Sequence, residues 1–157
     1  MKNIIMILIT IYAISCNLSA ETSQNVTATT KSKWAIGVNY PGISIKHKTK
    51  NKTAWELKAQ SGSDILVLGP RYYRYLTNSG VNLFWGLEAD YISFKGNESK
   101  GSGFAGGVFA GGEIALAEQL SLSMDFGPMY INLSENDYSQ SVSGLEYIVN
   151  MGIYWYF

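Results

Sequence analysis

The last fifteen residues, 143–157, alternate between two kinds of side chain. One set is small or polar at every position except Ile148. The other set is apolar at every step: Leu145, Tyr147, Val149, Met151, Ile153, Trp155 and Phe157. A period of two over this length predicts a β-strand with one apolar face. Such a strand is long enough to cross a bilayer at a tilt.

Similar alternation recurs upstream and predicts seven more strands, with no helix-period segment after the N-terminal apolar run. Within the seventh predicted strand the apolar positions change phase after Pro128, which predicts a β-bulge there. The eight predicted strands span 34–40, 43–48, 54–60, 65–76, 83–91, 104–116, 120–133 and 143–157.

The composition is unusual for a water-soluble domain. Charged residues make up 15% of the chain, against roughly 25% in soluble domains, while aromatic residues make up 13%. The formal net charge is +0, so no nucleic-acid partner is expected. Few charges with many aromatic residues and glycines favour a protein that presents an apolar face to lipid.

The N-terminus resembles a secretory signal. Lys2 precedes an apolar run over 4–14, and Leu18-Ser19-Ala20 suits cleavage before Glu21. We therefore expect a signal peptide over 1–20, a flexible polar lead-in over 21–32 and a single domain over 33–157.

The only cysteine of the chain, Cys16, leaves two interpretations open. Cleavage after Ala20 removes it, so that the mature chain has no disulfide. The alternative is lipidation at Cys16, because 13–16 partly resembles a lipoprotein signal in which Ala13 replaces the usual leucine.

The distribution of bulk between the two faces favours an inside-out barrel. Eight antiparallel strands enclose only enough room for side chains. The small and polar set therefore suits the interior, and the bulky apolar set suits lipid. A soluble, lipocalin-like barrel would need the reverse arrangement. Pro41-Gly42 is left open as either a turn between two strands or a kink in one.

With its C-terminal phenylalanine, the chain resembles the small eight-stranded bacterial outer-membrane β-barrels of the OmpX, OmpW and OmpA-barrel type. This resemblance implies an all-β, up-and-down transmembrane barrel in the cell outer membrane, with periplasmic turns near 49–52, 77–81 and 117–119. It implies longer outer loops at 60–64, 95–102 and 134–142. It also implies an assembly signal that the barrel-assembly machinery recognises, formed by Tyr154, Trp155, Tyr156 and Phe157.

Two groups of aromatic side chains are expected at the membrane interfaces, as such barrels show. Tyr75 is expected to join the periplasmic group. The predicted belts consist of Trp34, Trp55, Trp85 and Trp155 on the periplasmic side and Tyr40, Tyr91 and Tyr147 on the outer side.

Charged residues on the inward positions predict a paired network in the lumen, since an unpaired buried charge is costly. Lys48 also falls on this face. The predicted network consists of Lys46, Glu56, Lys58, Arg71, Glu88, Asp90, Glu113, Asp125 and Glu146.

The sequence favours a structural or surface-interaction role with no enzymatic activity and no cofactor. The alternative function is a narrow channel or transporter for ions or small solutes. The only histidine, His47, is expected at the periplasmic end of the second strand on the lipid side. No serine–histidine pairing and no metal site are expected. The expected partners are outer-membrane lipid and lipopolysaccharide, and the expected state is a monomer. Tyr138 is the one large side chain of its outer loop that could anchor a surface contact.

Overall fold

The structure, a computed structural model, describes residues 34–49, 52–77, 80–96, 100–135 and 141–157. The predicted signal peptide, Cys16, the lead-in over 21–32 and Tyr138 lie outside these residues. The eight strands are β1 (Trp34–Asn39), β2 (Gly42–Lys48), β3 (Thr53–Ser61), β4 (Ile65–Tyr75), β5 (Val81–Lys95), β6 (Lys100–Ala115), β7 (Leu120–Glu135) and β8 (Ser141–Tyr156).

The strands form one closed antiparallel ring in which each strand pairs with its sequence neighbours and β1 also pairs with β8. Tyr40 and Pro41 form a two-residue connection, and Asn39 lies opposite Gly42 across it. Pro41-Gly42 therefore marks a turn between two strands, and the strand count is eight.

The strand register shows how strongly the strands tilt. Ala35 lies opposite a residue of β2, which lies opposite a residue of β3, and so on around the ring. Followed in this way through β7, the pairing reaches Glu146 on β8. Across the closure, however, Ala35 lies opposite Tyr156, ten residues further along β8. A stagger of this size requires strands inclined to the barrel axis by about 40°.

The two faces of the ring separate as the alternation predicts. Outward side chains such as Leu87 (48% exposed) and Val149 (63% exposed) are apolar, whereas the inward Lys46 is fully buried. This is the inside-out arrangement of a barrel in lipid. Within the described residues, no helix is long and apolar enough to cross a membrane.

The predicted bulge at Pro128 is wrong. β7 pairs without interruption of register against β8 from Leu120 to Ser134, with Pro128 opposite Tyr147. The phase of the apolar residues changes because the apolar side chains beyond Pro128 face the lumen. These are Met129, Ile131 and Leu133. Pro128 lies on the outward-facing set of the strand, and the backbone keeps its regular alternation.

The connections at the two ends of the barrel are similar in length. The strands differ in length, because β5 to β8 are more than twice as long as β1 and β2. We call the end that contains Phe157 the Phe157 end and the other the hairpin end. Connections at both ends have two to five residues, so the predicted separation into short turns and long loops is wrong. About half of the residues assigned to the loops 95–102 and 134–142 instead extend β5 to β8.

The wall of the barrel is therefore low on one side. β1 pairs with β8 only from Gly152 to Tyr156, while β8 continues to Ser141. Among the described residues, the edge of β8 from Ser141 to Met151 has no strand beside it on the β1 side. With a rise of about 3.3 Å per residue and this tilt, the step in the wall is about 25 Å along the barrel axis. We call this step the notch.

Candidate functional site in the barrel lumen

Four charged residues of alternating sign lie directly opposite one another on successive strands. Lys46 on β2 is opposite Glu56 on β3, which is opposite Arg71 on β4, which is opposite Glu88 on β5. All four are at most 5% exposed. Opposite charges at opposed positions stabilise neighbouring strands, and here they also fill the interior.

A lower cluster, on the Phe157 side, holds two cations and two carboxylates. Lys46 Nζ lies 3.8 Å from Glu56 and 3.5 Å from Glu113, and Lys48 Nζ lies 2.7 Å from Glu113. Both carboxylates have negligible exposure. The formal charges of the lower cluster, defined as Lys46, Lys48, Glu56 and Glu113, cancel.

Tyrosine hydroxyls complete the hydrogen bonding of the lower cluster. Tyr75 and Tyr156 donate to Glu113 at 2.6 Å and 2.7 Å, and Tyr154 donates to Glu56 at 3.0 Å. The rings contact the cations as well, since Lys46 Nζ lies 3.8 Å from the centre of the Tyr154 ring. Buried charges tolerate low dielectric only when paired and hydrogen-bonded in this way.

An upper cluster lies on the hairpin side. Arg71 contacts Glu88 at 2.9 Å and Asp125 at 2.7 Å. Lys58 contacts Glu88 and also Asp90, the latter at 3.1 Å. These five residues, Lys58, Arg71, Glu88, Asp90 and Asp125, define the upper cluster.

Tyr73 joins the two clusters. Arg71 donates to the Tyr73 hydroxyl at 2.7 Å, and that hydroxyl donates in turn to Glu56. The Tyr73 ring packs edge-on against Phe84 and Phe109, with centroid distances of 5.2 Å and 5.1 Å. The rings occupy the centre of the lumen at this level, so the clusters form one continuous plug.

The structure places eight of the nine predicted network residues in these clusters. The ninth, Glu146, is exposed and forms no ion pair with any described residue. Although its position belongs to the inward set, it lies on the part of β8 beyond the notch, where no wall on the β1 side encloses it. Its assignment to the lumen network is therefore corrected.

The predicted interface aromatics all project outward. Tyr40 is 94% exposed, but it lies in the β1–β2 turn, beside Asn39, which is opposite Gly152. It therefore lies well below the level of Tyr147, and its placement in the outer belt is corrected. Tyr75, expected at the periplasmic interface, instead points inward and is 7% exposed.

The sequence argument missed the aromatic part of the plug because it expected only small or polar side chains inside. Tyr73, Phe84 and Phe109 are buried at inward positions. The signal was available, because each of these residues has the strand parity of an inward charged residue: Arg71 lies two positions from Tyr73, and Glu88 and Glu113 lie four positions from Phe84 and Phe109. The direct opposition of the charges required the register, which alternation alone does not provide.

The four residues of the predicted assembly signal divide between the two faces. Tyr154 and Tyr156 bind the lower cluster, whereas Trp155 and Phe157 are exposed on the outside. The backbone N–H of Phe157 donates to the carbonyl oxygen of Trp34 at 2.9 Å. The C-terminal residue therefore contributes a backbone bond to the closure of the ring.

No protein-family model matches the sequence, and no curated protein matches it. Among solved structures, the crystal structure of Neisserial surface protein A (NspA) superposes with a TM-score of 0.51 and 16% sequence identity. The match covers 79% of this chain and 92% of the NspA chain. The fold is that of an outer-membrane β-barrel.

At this sequence identity the likeness to NspA extends to the fold alone, so the lumen residues of this chain carry the chemical argument. Within the described ranges, no three His, Cys, Asp or Glu side chains are arranged to hold a metal ion. His47 lies opposite Trp34, and their ring centroids are 4.4 Å apart. What the arrangement provides is a buried plug of ion pairs, tyrosine hydroxyls and aromatic rings inside the lumen.

Proposed function

We propose that the protein is a non-enzymatic integral protein of the bacterial outer membrane that acts through its outer surface. The observation that supports this most directly is the filled lumen, where Glu113, Arg71 and Tyr73 are each at most 2% exposed. A barrel of eight strands has no room for a water-filled pore beside such side chains.

In this proposal a signal peptide is removed after Ala20, and the barrel-assembly machinery of a Gram-negative cell recognises the C-terminal strand. The Phe157 end then faces the periplasm, and the β5–β6 and β7–β8 hairpins project from the cell surface. The outward apolar residues contact lipid, the hairpins contact lipopolysaccharide, and the protein is a monomer.

The test is ion conductance after reconstitution into planar bilayers. We expect no steady conductance from the native protein, since ions would have to displace the buried clusters. Phe109→Ala, which removes one wall of the aromatic contact around Tyr73, is expected to conduct measurably. A shift between unheated and boiled samples on a gel would show that both proteins are folded.

A native protein that conducted steadily under these conditions would overturn the closed lumen. The alternative function, a narrow ion channel, would then account for the charged residues.

A further inference from the structure

The charges of the upper cluster do not cancel. It contains two cations, Lys58 and Arg71, and three carboxylates, Glu88, Asp90 and Asp125, all at most 5% exposed. Among the described residues, no ion pair links the upper cluster to the lower one, whose charges do cancel. One negative charge is thus left uncompensated in a buried site, where isolated charges are expensive.

Asp90 is the least satisfied of the three carboxylates. Glu88 contacts both cations, and Asp125 accepts hydrogen bonds from Arg71 and Asn150. The one ion pair that Asp90 forms with a described residue is with Lys58, through Oδ2. Its Oδ1 is buried without a hydrogen-bond partner among the described residues and lies over the backbone of Gly69, where a side chain would otherwise stand. The excess negative charge is therefore localised at Asp90.

The lumen beyond Asp90, toward the hairpin end, is largely apolar. This is unusual for the inside of such a barrel, which is normally polar. We call this part of the lumen the cup; the polar Gln60 lies opposite Val67, and the apolar inward residues are Val67, Ile92, Phe94, Ile131, Leu133 and Ile148, all partly exposed.

The notch opens the cup sideways. The β1–β2 turn ends the wall beside Gly152, whereas Ile148 and the rest of β8 continue beyond it. Within the part of the chain that the structure describes, the cup is therefore open toward the lipid as well as toward the hairpin end.

We propose that the cup binds an amphiphilic organic cation, with its positive group beside Asp90 and its apolar body against the side chains of the cup. An organic cation satisfies the two conditions that the site combines, one uncompensated carboxylate and an apolar wall. An anion of the same shape would add to the excess negative charge. This inference does not depend on which end of the barrel faces the cell surface or on whether the lumen conducts ions.

The test uses the full-length mature protein in lipid nanodiscs and octyltrimethylammonium as the probe, with binding measured by isothermal titration calorimetry against empty nanodiscs. We expect saturable binding at one site per barrel. Octyl sulfate, with the same chain and the opposite charge, is expected to show none beyond its partitioning into the lipid. Butyltrimethylammonium is expected to bind at least tenfold more weakly, since it leaves most of the cup unfilled.

Asp90→Asn keeps the shape of the side chain and removes the excess charge, so it is expected to weaken binding of the octyl probe at least tenfold. Glu118→Gln, which removes one negative charge at the Phe157 end, is the control and should leave binding unchanged. The heat shift on a gel verifies that each variant is folded. Probe binding no different from empty nanodiscs would overturn the proposal, as would equal binding by the native and Asp90→Asn proteins.

Discussion

Gly86 illustrates how one missing side chain sets the packing of the lumen. It lies on β5 between Tyr73 on β4 and Phe109 on β6. A Cβ at this position would overlap the ring of Phe109 and the backbone oxygen of Tyr72. The aromatic contact between Tyr73 and Phe109 therefore depends on the absence of a side chain between them.

We expect Gly86→Ala to destabilise the folded barrel by about 1–3 kcal/mol, because overpacking shifts the rings or the backbone. Gly144→Ala is the matched control, since a Cβ there meets no atom within 4 Å. Urea unfolding of the protein in detergent micelles measures both. Equal stability of the two variants would show that the plug can be repacked without strain.

Glu113 is the residue on which most of the lower cluster converges. It contacts Lys46 and Lys48 and accepts hydrogen bonds from Tyr75 and Tyr156. We expect Glu113→Leu to cost about 3–5 kcal/mol of unfolding free energy, because it leaves buried cationic groups without compensation.

The control for that change is Glu146→Leu, which removes an exposed glutamate that has no ion pair among the described residues. Its expected effect is within about 0.5 kcal/mol. The same urea titration separates the two positions, and a similar loss from both would contradict the assignment of Glu113 as the centre of the cluster.

At the scale of the strand, the depth of an outward residue determines the cost of placing a charge there. Val149 and Leu145 lie on the outward face of β8 and are 63% and 64% exposed. Val149 lies near the middle of the apolar band, whereas Leu145 lies beyond Tyr147 toward the hairpin end of the same strand. We expect Val149→Arg to destabilise the barrel by about 2–4 kcal/mol, and Leu145→Arg by about 0–1 kcal/mol.

The measurement for these two variants is unfolding free energy in lipid vesicles, where the depth of the hydrocarbon is defined. In a barrel whose apolar face formed an interior core, both changes would prevent folding. Equal, small costs at both positions would show that this face is not in contact with hydrocarbon.

The strands were largely predictable from the sequence, and the side chains that each strand turns inward were too. Alternation alone separated Leu87 from Glu88 and Val149 from Asn150 correctly. It failed where the apolar residues changed phase at Met129, because an apolar residue can also face a lumen that is not aqueous. It failed again for Glu146, since alternation gives the direction of a side chain but not the height of the neighbouring wall.

For the whole molecule, the C-terminal strand has both a structural and a proposed assembly role, and the two can be separated. Deletion of Phe157 removes one backbone hydrogen bond, to Trp34, which contributes about 0.5–1.5 kcal/mol. We therefore expect the shortened protein to refold in detergent and keep its heat shift. In cells, we expect its amount in the outer membrane to fall severalfold.

The matched control is Leu116→Ala, which trims an exposed apolar residue (53% exposed) at the same end of the barrel while leaving the C-terminus intact. Its amount in the membrane should not change. If the deletion failed to refold in detergent, the loss in cells would reflect stability instead of recognition by the assembly machinery.

The pairing of β1 with β8 also determines when the barrel can fold. Ala35 pairs with Tyr156, and Trp34 bonds to Phe157, so the closing contacts join the two ends of the barrel sequence. The ribosome has to reach Phe157 before these contacts can form. Contacts between distant parts of a sequence also form slowly, because the entropy of closing the loop is lost before they stabilise the product. A growing chain therefore cannot close its ring before β8 is made, and under the proposed route to the outer membrane this keeps the chain unfolded during export.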